Sequence, residues 1–351
     1  WNSPTLGDVS TNPERRECRI CMQRQLTFGG GVSPRSTLLR GQSIIEYVLI
    51  IAIIGLVIVF AGPGVAGAIR NQFNLVGNTV NNGTTGGTEG GGASGGGSAG
   101  ADSATVQAAI AKDAKDWTLG EQKAVAEDIA KNGTSSIAYA KAKAAMDAGT
   151  KFSMKLTDGQ TLEYKIIGIN HDDLADASGK AGLTFLTTST GIKSRVNATK
   201  TNAGGWEKSE LRAKMNSGEI WSLMPVDFQS KVKSVRKLTN NVGGSKENKD
   251  VAITATSDKL FLLSYSELVT TSRYASYYPW ISSEGTQYEA FKGKVTESDS
   301  GNAAISIDSY LWERSVDPSD SAYFLRVYSG GSPSHGDSAT CSLCVCPAWC
   351  F

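Results

Sequence analysis

Apolar and polar residues are distributed unevenly along the 351-residue chain. The strongest apolar signal is a run from Tyr47 to Ala68, which contains 22 residues and no charged side chain. About 20 apolar residues in a helix cross roughly 30 Å of hydrocarbon, so this run predicts a transmembrane helix within residues 42–82. Pro63 is expected to bend this helix, because proline has no N–H to donate to the preceding turn.

A linker and a helical segment are expected to follow. Residues 83–104 are rich in Gly, Ser and Thr, a composition that cannot bury apolar surface and predicts a flexible coil. Residues 105–149 are rich in Ala, Lys, Asp and Glu, and Thr118 and Glu121 have the spacing of a helix capping box. This spacing predicts a helix over residues 122–132, to which we assign no chemistry.

From residue 150 the pattern changes to short strands separated by turns, which indicates a domain over residues 150–351. Asp158-Gly159 lies between two strand-like runs and predicts a hairpin of residues 152–157 and 161–169. Because strands and helices do not alternate regularly, the pattern indicates an α+β fold and not a doubly wound sheet. The other expected elements are strands at 183–188, 232–238, 259–264 and 323–328, and helices around 206–215 and 225–231.

Composition narrows the possible functions. A net charge of +1 argues against a nucleic-acid-binding surface, so we expect no nucleic-acid partner. His171 and His335 are the two histidines of the chain, and neither belongs to a Ser/His/Asp or Cys/His pattern. We therefore expect no catalytic residue, no enzyme activity and no cofactor.

The sequence before the apolar run resembles the processing site of type IVb pilins of the Flp/Tad kind. The resemblance covers about residues 22–80 and depends on the spacing of Gly41, Gln42 and Glu46, with Tyr47 opening the apolar run. It implies that a prepilin peptidase cuts after Gly41, and that the new amine of Gln42 pairs with Glu46 of a neighbouring pilin subunit. A plain membrane anchor is the alternative.

The region before Gly41 agrees with a leader peptide over residues 22–41. It contains Arg24, Arg35 and Arg40 and no acidic residue, the charge bias of a segment that stays on the cytoplasmic side. The chain begins with Trp1, so residues 1–21 are expected to lie upstream of a true start at Met22. The resemblance implies insertion in the membrane before assembly and display at the cell surface in a pilus.

Several short motifs in the second half of the chain resemble a bacterial surface domain family of unassigned function. That family is related in pattern to C-type-lectin-like and formylglycine-generating-enzyme-like folds. The resemblance implies a C-type-lectin-like domain over residues 150–351. Val316 departs from the pattern, since the family usually has proline there. The motifs are Ile166 to Asp172, Gly205-Trp206 through Arg212, Leu260 to Ser264 with Glu267, and Trp312-Glu313-Arg314-Ser315.

The end of the chain has an unusual composition. Residues 316–346 contain no Lys, Glu, Gln, Met, Trp or Ile, and every residue type present can be reached from an Asn codon by changing its two adenines. This region resembles the variable region, about residues 312–351, of proteins diversified by a diversity-generating retroelement. A disordered Ser/Gly-rich tail is the alternative.

The retroelement resemblance implies a buried framework with substituted, ligand-facing neighbours. Tyr323, Arg326 and Tyr328 are expected to be the main binding residues, because Tyr and Arg are enriched at interface hot spots. The expected framework is Trp312, Arg314, Phe324 and Val327. The expected variable, solvent-facing positions are Val316, Asp317, Asp320, Ala322, Tyr323, Leu325, Arg326, Tyr328, Gly330, Pro333, His335, Asp337, Thr340, Leu343, Cys344 and Cys346.

Two groups of residues could bind a metal, although we expect no metal site. Cys341, Cys344, Cys346 and Cys350 could hold zinc, but an external domain favours one or two disulfides, or these cysteines are accidental products of codon diversification. The oxygen-rich loop of residues 170–176 could bind calcium, but it lacks EF-hand spacing, which favours a solvated turn.

The combined prediction is a hypervariable, surface-displayed pilin subunit that binds an unknown protein, glycan or phage. One alternative is a structural pilin with an inert decoration. The other is an enzyme of the formylglycine-generating kind, which the absence of paired cysteines in the body of the domain does not favour.

Overall fold

The computed structural model describes residues 103–188, 191–241, 252–270, 278–297 and 301–351. The described residues all belong to one compact unit of the chain. The predicted leader, transmembrane helix and most of the linker lie outside the described residues, as do Gly41, Gln42 and Glu46.

Three helices open the described part, and shorter helices follow within the strand-rich region. The helices are α1 (Ser103–Ile110), α2 (Leu119–Asn132), α3 (Tyr139–Asp147), α4 (Glu210–Asn216), α5 (Glu219–Leu223), α6 (Val226–Gln229) and α7 (Tyr265–Leu268). Short 3-10 helices lie at Ala114–Asp116, Gly133–Ser135, Pro279–Glu284 and Glu289–Phe291.

The strands belong to three sheets. In chain order they are β1 (Lys151–Lys155), β2 (Thr161–Ile169), β3 (Leu183–Thr187), β4 (Lys193–Ser194), β5 (Val235–Asn240), β6 (Ile253–Asp258), β7 (Leu311–Val316), β8 (Tyr323–Val327), β9 (His335–Ser338), β10 (Leu343–Cys344) and β11 (Ala348–Cys350). One sheet has the order β1-β2-β3-β11, a second has the order β4-β10-β7-β8-β9, and β5 pairs with β6. β10 and β7 are parallel, and the other strand pairs of these sheets are antiparallel.

The capping box at Thr118 is confirmed. The Thr118 hydroxyl accepts the backbone N–H of Glu121 at 3.2 Å, and the Glu121 carboxylate accepts the Thr118 N–H at 2.7 Å. Two of the N–H groups that lack a partner at a helix start are satisfied in this way, so α2 begins at Leu119. The predicted hairpin is also confirmed, with Met154 opposite Leu162.

The apolar core includes the last residues of the chain. Trp349 in β11 packs against Tyr164 of β2, with ring centres 4.8 Å apart, and against Phe185 of β3 at 5.8 Å. Phe351 contacts Phe185 as well, at 5.4 Å. Residues 301–351 therefore contribute strands and core side chains, and the disordered-tail alternative is wrong for them.

One predicted strand is wrong. Residues 259–264 form no regular strand, and the strand lies earlier, at β6. Leu260, Phe261, Leu262 and Leu263 are all buried, and Phe261 makes a single bridge with Ala348. A short run that is buried on every side has no alternation from which to identify the element.

No helix among the described residues is long and apolar enough to cross a membrane. The predicted fold class joined a membrane-spanning helix to a lectin-like domain. It is corrected to a mixed helix-and-sheet α+β architecture for the part of the chain that the structure describes.

Candidate functional site

Ten of the sixteen positions expected to face solvent are buried. They are Val316, Asp317, Ala322, Leu325, Arg326, Pro333, Asp337, Leu343, Cys344 and Cys346. The other six are partly or fully exposed: Asp320, Tyr323, Tyr328, Gly330, His335 and Thr340. The expectation of a solvent-facing surface is therefore wrong for the ten buried side chains.

The position of β8 explains the burial of Leu325 and Arg326. β8 lies between β7 and β9 in the five-stranded sheet, and all its residues from Phe324 to Val327 are buried. A strand with one face in solvent would alternate, whereas this strand is covered on both faces. The expected framework residues Trp312, Arg314, Phe324 and Val327 are buried, and the Trp312 indole donates to the Ser194 carbonyl at 2.9 Å.

Arg326 lies beneath two partly exposed tyrosines. Its guanidinium carbon is 4.3 Å from the ring centre of Tyr310 and 5.4 Å from that of Tyr328, and its Nε lies 3.3 Å from an Asp337 carboxylate oxygen. Because Arg326 is only 2% exposed, it supports these rings and does not reach a ligand outside the domain. The expectation that Arg326 contacts ligand directly is thus corrected.

We call Tyr310, Tyr328 and His335 the aromatic cluster. The ring centres of Tyr310 and Tyr328 are 4.9 Å apart, and those of Tyr328 and His335 are 5.5 Å apart. All three side chains are partly exposed. The sequence analysis missed Tyr310, because this residue immediately precedes β7 and lies outside the segment of unusual composition.

Tyr323, at the start of β8, is partly exposed, and the Lys200 ammonium lies 5.8 Å from its ring centre. The Asp320 carboxylate accepts the Ala322 N–H at 2.7 Å and so stabilises the turn that leads into β8. Asp320 therefore has a structural role within its own loop.

Asp172 belongs to a buried polar network and not to a solvated turn. Asp172 is 4% exposed and accepts from Lys237 at 2.6 Å, from Thr184 at 2.6 Å and from the Tyr288 hydroxyl at 2.9 Å. Burial alone raises the pKa of the Asp172 carboxyl, but the Lys237 charge and the hydrogen bonds from Lys237 and Thr184 hold that pKa below its usual value. The predicted solvated turn is therefore wrong at Asp172.

Glu267 joins this network to β7. Its carboxylate accepts the Ser264 N–H at 3.0 Å in a capping box for α7, and it pairs with Lys237 at 2.6 Å and with Arg314. Burial raises the pKa of Glu267, but Arg314 and Lys237 reverse that effect and lower it. Arg314 also donates to the carbonyls of Leu262 and Glu284, so its donors are directed at buried acceptors.

Glu284 is a buried acid close to Arg314. Its carboxylate accepts the Asn240 N–H at 2.9 Å and the Ser315 hydroxyl. Burial raises the pKa of Glu284 to about 7, although Arg314 and these hydrogen bonds lower it in part. The group therefore titrates near neutral pH.

Cys341 is disulfide-bonded, whereas Cys344, Cys346 and Cys350 are buried and form no disulfide. The disulfide at Cys341 agrees with the expectation of one or two disulfides, but Cys344, Cys346 and Cys350 take part in none. Burial raises the pKa of the Cys346 and Cys350 thiols, so these sulfurs are poor nucleophiles. Within the described ranges, no group of three or more His, Cys, Asp and Glu side chains is arranged to hold a metal ion.

A cavity of about 750 Å³ lies between the two larger sheets. β1, β2 and β3 contribute Lys151, Lys165 and Leu186 to its lining, β7 contributes Trp312 and Glu313, and residues 303–308 complete one side. The volume is within the range of small-molecule sites in proteins, roughly 300–1,000 Å³.

Residues 181–350 match the family model described as "Domain of unknown function (DUF6273)". The matched range contains β3 to β11, the aromatic cluster and most of the buried polar network, but not α1 to α3 or the β1–β2 hairpin. No curated protein and no solved structure matches the chain.

Proposed function

We propose that the C-terminal α+β domain is a recognition module that binds a macromolecular ligand at the aromatic cluster, without turnover. The observation that carries this proposal is the support of partly exposed Tyr310 and Tyr328 by the buried guanidinium of Arg326. Rings held in this way offer a large contact area and lose little conformational freedom on binding.

The charges and contacts around the aromatic cluster favour a surface that is already ordered before a ligand binds. Arg326 is held by Asp337 on one side and by the two rings on the other, so both tyrosines rest on a fixed cation. Tyr and His present polar atoms beside apolar rings, a combination common at interfaces. The ligand-facing set is accordingly smaller than the sequence suggests, and it includes Tyr310.

We also infer that substitution among alleles is concentrated at exposed positions. A change at Tyr323, Tyr328 or His335 alters the surface, whereas a change at Phe324 or Val327 alters the core. Diversification by a retroelement would then rewrite binding without unfolding the domain, provided that it acts mainly on the six exposed or partly exposed positions.

Sequencing the gene across isolates tests this inference. We expect substitutions at Asp320, Tyr323, Tyr328, Gly330, His335 and Thr340 to outnumber those at the ten buried positions, with a near-copy of the segment and a reverse-transcriptase gene beside the locus. Substitutions spread evenly along residues 150–351 would contradict diversification but would leave the aromatic cluster open to a direct binding test.

The binding test uses the full chain against two probes, an immobilised glycan array and a phage-displayed random-peptide library. We expect selective binding to one probe, and we expect Tyr328→Ser to abolish it. Tyr139→Ser changes a partly exposed tyrosine in α3 and is the matched control, which should bind normally. Equal binding by the Tyr328→Ser variant and the original chain would refute the proposal, as would no selective binding to either probe.

A further inference from the structure

Glu313 is a buried acid whose carboxylate has no partner in the described residues. It is 1% exposed, and neither carboxylate oxygen accepts or donates a hydrogen bond there. Its neighbours along β7 are satisfied, since the Trp312 indole donates to Ser194 and Arg314 pairs with Glu267. An unsatisfied buried carboxyl is costly to the fold, so its retention needs a reason outside the packing of the core.

Glu313 is also one of the residues that line the 750 Å³ cavity. Much of the surrounding wall is apolar, with Leu263, Leu268, Ile305 and Trp312 among its residues. The cavity thus combines a large apolar surface with a carboxyl group that has no partner, which is the usual composition of a small-molecule site.

The charged side chains that line the cavity favour the binding of a cation over that of an anion. Three of the five are acidic, and Glu163 is neutralised by Lys151 at 2.9 Å. Lys165 donates to the carbonyl of Ala304 at 2.8 Å and is thereby engaged with the protein itself. Asp308 and Glu313 then outnumber the remaining basic group, Lys165.

We propose that this cavity binds a small amphipathic amine, with the ammonium group on the Glu313 carboxylate and the apolar body against the leucine, isoleucine and tryptophan walls. An ammonium supplies the donors that both carboxylate oxygens lack. This cavity is separate from the aromatic cluster, so a failure of amine binding would not contradict the recognition proposal, and a failure of that proposal would not contradict amine binding.

Binding of an ammonium is coupled to ionisation of Glu313. Burial raises the pKa of the Glu313 carboxyl well above its usual value, Glu284 raises it further, and Arg314 and Arg326 lower it. The carboxyl must lose its proton to pair with the cation, so the affinity for an amine should rise with pH. The other titratable groups that line the cavity are Lys151, Glu163, Lys165, Asp308 and Cys346.

The test is calorimetric titration of the full chain with hexylammonium, using 1-hexanol and hexanoate as probes of equal chain length. We expect saturable binding of hexylammonium and much weaker binding of hexanoate. Glu313→Gln should weaken hexylammonium binding at least about tenfold, because it removes the negative charge. Glu219→Gln, at an exposed carboxylate outside the cavity that pairs with Lys214, should change binding by less than about twofold.

A measurement on the unmodified chain keeps the proposal testable if Glu313→Gln does not fold. The affinity for hexylammonium should increase from about pH 5 to about pH 8, whereas that for 1-hexanol should stay constant. Equal affinity of the original chain and Glu313→Gln for hexylammonium would overturn the proposal. So would a pH-independent affinity, or hexanoate binding as tight as that of hexylammonium.

Discussion

Arg314 of β7 and Glu267 of α7 form a buried, two-bond ion pair, with Nη1 2.5 Å from Oε2 and Nη2 3.0 Å from Oε1. Lys237 of β5 pairs with the same glutamate and with Asp172, so four segments far apart in sequence meet at one polar centre. Because each charge has a partner, the network fixes how β5, α7 and β7 pack together.

Arg314→Met should therefore destabilise the domain strongly. The change leaves the Glu267 carboxylate with one buried cation in place of two, and breaking a buried pair typically costs about 3–5 kcal/mol. Urea denaturation followed by tryptophan fluorescence measures the change in the free energy of unfolding. Arg195→Met removes a half-exposed arginine 3.8 Å from Glu210 and should change that free energy by less than about 1 kcal/mol. Equal losses for the two variants would contradict a special role for Arg314.

Neighbouring residues of β8 should respond very differently to the same substitution. Phe324→Ser removes a fully buried ring and leaves a buried hydroxyl, so we expect a loss of about 3–5 kcal/mol in the free energy of unfolding. Tyr323→Ser changes a partly exposed side chain and should cost about 1 kcal/mol or less. Thermal melts of both variants measure the difference, and similar melting temperatures would show that Tyr323 is as much a core residue as Phe324.

Local signals account for the parts of the fold that the sequence predicted correctly. The Thr118–Glu121 box starts α2, and Asp158-Gly159 joins β1 to β2, because capping and hairpin geometry depend on residues close together in the chain. The Asp172–Lys237 pair joins residues 65 positions apart, and no local pattern marks it. Only the tertiary structure shows that these two residues pair.

The composition of the C-terminal segment indicated where unusual residues lie but not how deep they are. Codon content is independent of the sheet position, and β8 is an inner strand of its sheet, so Leu325 and Arg326 are buried together. Composition also failed to identify Tyr310, because this residue belongs to the aromatic cluster but lies outside the segment of unusual composition. How deeply a residue is buried, and which segments share a surface, depend on the order of the strands in the sheet. Sequence periodicity alone does not determine that order.

Glu284 should make stability depend on pH. Burial raises its pKa to about 7 in the folded protein, compared with an ordinary value of 4.5, so the folded state holds the proton more tightly. The contribution of this group is fully present below about pH 4.5 and is lost as pH rises to about 7. Glu313 acts in the same direction, since its pKa is also raised.

Denaturation of Glu284→Gln from about pH 4.5 to about pH 7 tests this dependence. Relative to the original chain, the variant should become progressively more stable as pH rises, because the amide does not titrate. Glu219→Gln is the control, since Glu219 is 69% exposed and pairs with Lys214 at the surface, and it should leave the pH profile unchanged. A constant difference between Glu284→Gln and the original chain over this range would show that Glu284 does not titrate there.

Gly182 should be intolerant of any side chain, because it lies where the chain enters β3 beside α2. A Cβ at this position would lie 1.8 Å from the backbone carbonyl oxygen of Ala126, and backbone atoms cannot rotate away as a side chain can. Gly182→Ala must therefore move α2 away from β3, and we expect a loss of at least about 2 kcal/mol in the free energy of unfolding.

Gly120→Ala is the matched control for Gly182→Ala, since Gly120 lies in the first turn of α2 and its Cβ would meet only the Thr118 hydroxyl, at 3.8 Å. Replacing this helical glycine should raise the free energy of unfolding by about 0.5–1 kcal/mol. Opposite signs for the two alanines in urea denaturation would establish that α2 packs directly on the β3 backbone. If Gly182→Ala were as stable as the original chain, residues 119–132 could not lie against β3 at this distance, and the helical segment would have to dock elsewhere.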